Sequence, residues 1–410
     1  MEFIQIIVYI AIYIGLVATS FYILSYLSDS KKKKEFFTDE ELPFVSVIIP
    51  AYNEEKTIEK TIKSILDSQY PAGKFEVLVV DDGSKDKTLE TARNFESGTV
   101  KVYHKKNGGK GTALNFGISK SKGEIIFSMD ADTRVDSKSM KRMVRYFKNP
   151  NIMSVTPAMV TEKPETIWQR VQYIEYLTGL FLRKSFAALE SIYIAPGAFS
   201  AYRKTFFDKH GGYEEGNITE DLELALRIQS KGYITENCSD APAYTSGPKT
   251  FLSLLIQRRR WYYGMIKNLW VYRFLFGRKT GDLGTFVMPI AIISIFFSLV
   301  ITIYLFFKTL FNIHSEILFL RSVNFDFGNF LNFNSYIIER FLFLFFSNPI
   351  VIFILIFILI TFSYLHYASK KIGRSSGLII NILLFFLLFA LLFGFWWVVS
   401  IFYALFYKKI

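Results

Sequence analysis

Apolar and small uncharged residues run without a charge from Phe3 to Leu27. A run of that length crosses the hydrocarbon core of a bilayer as one helix. It is too long for the apolar core of a cleaved leader, and it opens with Glu2 rather than a basic cluster. These features predict an N-terminal span within residues 1–30. The pattern then changes period. Phe44–Pro50, Phe75–Val80 and Glu124–Met129 read as buried strands. Residues 54–68 carry Ile58, Ile62, Ile65 and Leu66 on one helical face, and Asp86 is placed to cap the helix after the second strand. Strand and helix alternate in this way over residues 40–248. The alternation predicts an α/β domain, a mainly parallel sheet with helices on both faces. Residues 249–283 mix apolar, aromatic and basic side chains, which predicts helices lying in the membrane interface. Uncharged runs return at Gly284–Phe307, at Pro349–Tyr367 and from Leu378 to about Phe406, giving a membrane region of about three helices over residues 284–410. Residues 334–347 are also apolar but contain Glu339 and Arg340, and read as a surface helix or an additional span.

Charge supplies the topology. Lys31–Lys34 follow the first span, and Lys370, Lys371 and Arg374 separate the last two. Basic flanks stay in the cytosol, so the middle domain is expected inside and the N-terminus outside, in a multi-pass protein of the plasma membrane. The net charge of +12 comes from runs that lie mostly beside the spans. A nucleic-acid partner, which would need a basic face with interleaved aromatics on the soluble part, is therefore not expected. The lone cysteine, Cys238, excludes an internal disulfide and disfavours a cysteine-based zinc site.

In an open parallel sheet ligands bind beyond the carboxyl ends of the strands. Pro50–Glu54, Asp81–Gly83 and Asp130–Ala131–Asp132 all fall at such ends and are expected to converge. Side chains at i and i+2 of an extended chain point the same way, so Asp130 and Asp132 would form a pair of hard ligands for Mg2+ or Mn2+. Alone, that pair is equally two solvated turn carboxylates, and Asp82 is equally an ordinary Asp-Gly turn residue. Asn107–Thr112 is glycine-rich and leads into a helix, with Lys110 near the same strand ends. It is not a P-loop, because Gly111 stands where Ser or Thr must follow the lysine. Thr219–Glu220–Asp221 opens a helix expected over 221–231, as a capping turn or as the seat of a general base. Gln257–Arg258–Arg259–Arg260–Trp261 offers guanidinium forks for a diphosphate and a flat ring for a sugar, or else decorates an interfacial helix.

Asp82, Asp130–Asp132, Thr219–Asp221 and Gln257–Trp261, in that order, resemble the D, D, D, Q-x-x-R-W pattern of family 2 glycosyltransferases. Over residues 40–310 the chain is similar to the processive membrane synthases of cellulose, chitin, hyaluronan and poly-N-acetylglucosamine, the last type most of all. The resemblance implies a GT-A fold and inverting transfer from a UDP-sugar, with N-acetylglucosamine favoured as the sugar. It implies that Ala51, Glu54 and Asp82 hold the uridine, and that Lys110 and Asp130 hold the diphosphate. Asp130 and Asp132 would be the metal site and Asp221 the catalytic base. Arg258 and Arg260 would lie near the pyrophosphate. Gly197, Ala198, Phe199, Glu220, Gln257 and Trp261 would line the acceptor site. The acceptor is expected to be a growing polysaccharide exported through the bilayer, with room for a small membrane accessory subunit. Glucosylceramide synthases carry a similar motif set, so transfer of one sugar to a membrane lipid is the alternative. A membrane sensor or scaffold that only binds a nucleotide is the non-enzymatic one.

Overall fold

The computed structural model describes residues 3–29, 35–322, 335–347, 349–371 and 377–406. Lys31–Lys34 and Arg374, on which the topology expectation leans, lie outside the described residues, as does residue 334.

Helix α1 (Phe3–Asp29) leads into an 8-stranded sheet of order β3-β2-β1-β4-β7-β6-β8-β5. The strands are β1 (Val45–Ala51), β2 (Phe75–Asp81), β3 (Val100–His104), β4 (Ile125–Met129), β5 (Thr133–Val135), β6 (Ile152–Thr161), β7 (Phe199–Arg203) and β8 (Ile234–Thr245). All but β5 and β7 run the same way. The sheet is thus mixed but mainly parallel, as in the GT-A fold, and its central strands are buried along their length. Parallel strands covered on both faces need apolar residues at every position, which is why they read as continuous runs.

Helices α2 (Ile58–Leu66), α3 (Thr88–Arg93), α4 (Lys110–Lys120) and α5 (Ser139–Val144) connect the first strands. Asp86 precedes α3 by more than the expected cap position, yet its carboxylate accepts the Thr88 N–H at 3.0 Å. Two apolar layers flank the sheet. Ile58, Ile62 and Ile65 of α2 pack in one, and Ala113 and Leu114 of α4 pack in the other.

Helix α6 (Ile167–Ala188) follows β6 and is closed at its start by a reciprocal Thr166–Gln169 capping box. It packs on α1, and on α12 (Pro349–Lys371) and α13 (Leu378–Phe406). After α7 (Lys204–His210) and α8 (Glu220–Ser230) comes α9 (Phe251–Val271), with a second capping box at Thr250. It lies against α13, with Tyr262 stacked on Trp397 at 4.5 Å between centroids, while Leu252, Ile256 and Trp270 point outward. Helix α10 (Met288–Ser322) and α11 (Ser335–Ser347) complete the chain. Four helices among the described residues are long and apolar enough to cross a membrane: Ile4–Ser28, Leu283–Ser322, Val351–Lys370 and Leu378–Phe406. That is the make-up of an integral membrane protein. The described part of α11 is 13 residues, about 20 Å long.

Candidate functional site

Acidic side chains gather beyond the carboxyl ends of β1, β2 and β4 around one lysine. Lys110 is the first residue of α4, and its Nζ lies 2.6 Å from Asp130 Oδ1 and 3.2 Å from Glu220 Oε1. Beside Glu220, Asp221 accepts the Gly197 N–H on Oδ2 and the Leu222 N–H on Oδ1, both at 2.8 Å. The segment before β7 closes the ring, because the Ala198 carbonyl accepts the Asp130 N–H at 2.9 Å.

Gly197 makes this approach possible. A β-carbon there would lie 2.8 Å from Asp221 Oδ2 and 3.1 Å from Lys110 Nζ. A side chain there would have to push both charged groups aside. Gly197→Ala is expected to displace Asp221 and lower turnover by about two orders of magnitude, the scale of a misplaced catalytic group. Initial rates and thermal melting measured together check this; the melting temperature should change little.

The charges are unbalanced toward carboxylate. Burial alone would lower the Lys110 pKa, but the facing Asp130, Glu220 and Asp221 outweigh it and hold the ammonium well above its ordinary value. The Asp221 carboxyl is pushed up to about 6, first by burial and then by Glu220, with Lys110 pulling the other way. Asp132 is likewise pushed up to about 6 by burial, then by Asp130 and Glu54.

Asp130 and Asp132 do not project from one extended strand. β4 ends at Met129, and a turn closed by Thr133 N–H to Asp130 O at 3.1 Å carries both residues. The turn still leaves them within each other's field, together with Glu54. Among the described residues no three carboxylate, histidine or cysteine groups are gathered into a ready-made ion cage. Two neighbouring carboxylates nevertheless fit a Mg2+ or Mn2+ that takes its other ligands from a diphosphate and water.

Other expected residues sit differently. Asp82 is 3% exposed and already saturated. It accepts the Gly109 N–H at 2.7 Å and the Gly108 N–H at 3.1 Å, and pairs with Lys105 Nζ at 2.6 Å. In this structure it anchors the glycine-rich loop. Ala51 accepts the Asp82 N–H on its carbonyl at 2.8 Å. Glu54 accepts the Thr57 hydroxyl at 2.6 Å. Phe199 is fully buried and stacked on Phe127 at 4.8 Å, because a residue of β7 facing the sheet core has no free face to offer.

The arginine-rich string also divides. Arg258 is 1% exposed, pairs with Glu175 of α6 at 2.6 Å, and lies over the rings of Trp261 and Trp396 at 4.3 and 5.3 Å. It ties α9 to α6 and α13. Arg259 stacks on Tyr403 at 4.4 Å, whereas Arg260 is exposed. Gln257 accepts from Gln172 of α6 at 3.0 Å. One turn beyond Trp261, Gly264 meets Thr219 at the start of α8, where a β-carbon would lie 2.2 Å from the threonine hydroxyl. Thr219 holds the cap position without capping; its hydroxyl accepts from Asn268 at 2.9 Å instead. These contacts seat α9 on the turn that carries Glu220 and Asp221.

Sequence reading assigned nothing to α6, yet Gln172, Glu175 and Tyr176 meet α9 or the acidic site. Tyr176 is pushed up to about 12 by burial, and it lies in the fields of Arg258, Glu175, Arg183 and Asp132. The signal available was the spacing of 172, 175 and 176 on one face of an otherwise mixed helix.

Residues 46–211 match the family model described as glycosyl transferase family 2. The chain is 32% identical over 268 residues to a beta-monoglucosyldiacylglycerol synthase of Nostoc sp., covering 62% of this chain and 56% of that protein. It is 28% identical over 261 residues to a poly-beta-1,6-N-acetyl-D-glucosamine synthase of Staphylococcus aureus, covering 63% of each. The match thus spans less than two thirds of either relative's length. A mannosyltransferase from Pyrobaculum calidifontis, PcManGT, solved in complex with GDP-Man and Mn2+, superposes with a TM-score of 0.58. That superposition covers 98% of this chain and 100% of the other at 17% identity, and it shows a shared fold.

Proposed function

We propose that this chain moves a hexose, N-acetylglucosamine foremost, from a UDP-sugar to an acceptor presented at the membrane, with inversion at the anomeric carbon. The observation that carries the reading is the ring of Lys110, Asp130, Glu220 and Asp221 at the foot of a helix packed on membrane spans. Residues 40–248 act as the catalytic domain, 249–283 as the interfacial link, and the remainder as the bilayer anchor. Asp221 takes the proton of the acceptor hydroxyl as that oxygen attacks the anomeric carbon and UDP departs. Lys110 and the exposed Arg260 balance charge on the leaving diphosphate. Asp130 and Asp132 would hold Mg2+ or Mn2+, which when bound supplies further positive charge there. Gly197, Glu220 and Trp261 border the acceptor hydroxyl.

A growing polysaccharide is the first reading of the acceptor, and the similarity to a poly-N-acetylglucosamine synthase supports it. Similarity to a lipid glucosyltransferase favours a diacylglycerol-type acceptor as the second. Purified protein incubated with Mn2+ and a panel of UDP-sugars tests both. UDP release with one donor supports transfer, and the size of the labelled product separates polymer from glycolipid. No release with any donor would overturn the reading.

The base must be ionised to work, so its raised pKa places the acid limb of kcat near pH 6 rather than near 4. Activity is expected to fall about tenfold per unit below that point. Asp132 titrates in the same range, and saturating Mn2+ pulls it down and isolates Asp221. Excess chelator should stop turnover; unchanged rates would remove the cation from the mechanism.

A further inference from the structure

Arg183 lies on α6, within the electrostatic reach of Tyr364 on α12, and no described residue pairs with it. Its Nε and Nη2 are buried without a hydrogen-bond partner, and it takes part in no ion pair among the described residues. The guanidinium folds back over Gly179, where a β-carbon would lie 3.2 Å from Nη1 and 3.6 Å from Cζ. The groups that act on it electrostatically are the phenols of Tyr176 and Tyr364, not carboxylates. Burial lowers its pKa to about 10, so it remains charged at neutral pH. Two buried guanidinium nitrogens without a partner are costly, and a guanidinium fork matches phosphate oxygens.

The side of α6 turned away from Arg183 fixes the level in the membrane. Phe181 packs on Tyr26 of α1 at 6.1 Å and on Tyr364 of α12 at 4.7 Å, and Tyr364 donates to the Leu177 carbonyl at 3.4 Å. Tyr26 and Tyr364 stand about 5 Å and about 10 Å from the ends of their helices, at 1.5 Å per residue. Those ends are the ones that face the sheet domain, since α1 runs on into it and α12 packs on α6. Tyrosines near the ends of spans mark the headgroup layer.

We propose that Arg183, on α6 beside α12, binds the phosphate of an anionic phospholipid from the leaflet facing the domain. This site is separate from the donor pocket and independent of the reading given above. Tyr176, which lies in the fields of both Arg183 and Asp132, places the lipid toward the chemical site. The bound lipid ties α12 to the helix that carries Glu175.

The full chain, purified in dodecyl maltoside and phosphate-free buffer, is titrated with phosphatidylglycerol, with diacylglycerol and with inorganic phosphate. Thermal melting and native mass spectrometry are the readouts. Phosphatidylglycerol is expected to raise the melting temperature saturably and to leave a retained adduct; the other two are not. Arg183→Met should be at least as stable as wild type before lipid is added, because it removes an unpaired charge. It should also bind phosphatidylglycerol about tenfold more weakly, the loss of one charge-assisted hydrogen bond. Equal lipid binding by Arg183→Met overturns the proposal, and so does marked destabilisation of that variant in lipid-free detergent. A shift reproduced by inorganic phosphate would make this a small-anion site and overturn the lipid. If Arg183→Met does not fold, Arg183→Lys decides in the same titration. Severalfold weaker binding supports the site, and undiminished binding overturns it.

Discussion

Asp221→Asn should leave roughly 10⁻² to 10⁻⁴ of the wild-type transfer rate, the range expected when a positioned base is lost. Asparagine keeps the shape, and its amide oxygen can still accept the Gly197 or Leu222 N–H. It cannot take a proton. UDP affinity should stay within about threefold, because the group removed acts on the acceptor and not on the nucleotide. Isothermal titration with UDP and Mn2+, run beside the rate assay, separates the two effects. A parallel fall in affinity and turnover would make Asp221 a donor-site residue.

The second large effect is on stability. Arg258→Ala is expected to cost about 3–5 kcal/mol, because it leaves the Glu175 carboxylate inside the protein with no counter-charge. Burial already raises the Glu175 pKa, and Arg258 is the group that opposes the rise. The variant also strips one face from Trp261 and Trp396, whose rings lie against the guanidinium. Replacing both partners, Glu175→Leu with Arg258→Met, should restore most of the loss, since an apolar pair of similar volume needs no hydrogen bonds. Thermal unfolding in detergent reads both variants. Equal destabilisation in the single and double variants would mean that packing, not charge, holds this seam.

The spans and the first half of the sheet were legible because their signals are local. A run such as Leu378–Phe406 has one physical reading, and β1, β2 and β4 are uniformly apolar for the reason parallel buried strands must be. The acidic segments followed, since topology places strand ends together. What could not be read was the direction of individual side chains. Arg258 and Arg260 are two apart on a helix and so point to different sides; nothing local says which side meets Glu175. Asp82 looked free because its partners, Lys105 and the Gly108 and Gly109 amides, lie on a loop more than twenty residues on. Phe199 is a strand residue whose partner, Phe127, belongs to another strand. Helix α6 was silent for the same reason: its polar face acquires meaning only against α9 and α13.

One structure would test the central claim most directly: the chain in a lipid disc with UDP and Mn2+ bound. The account predicts the cation at Asp130 and Asp132, the diphosphate beside Lys110, and Asp221 facing the open side where an acceptor hydroxyl would enter. UDP and Mn2+ bound away from Lys110 and these carboxylates would contradict it.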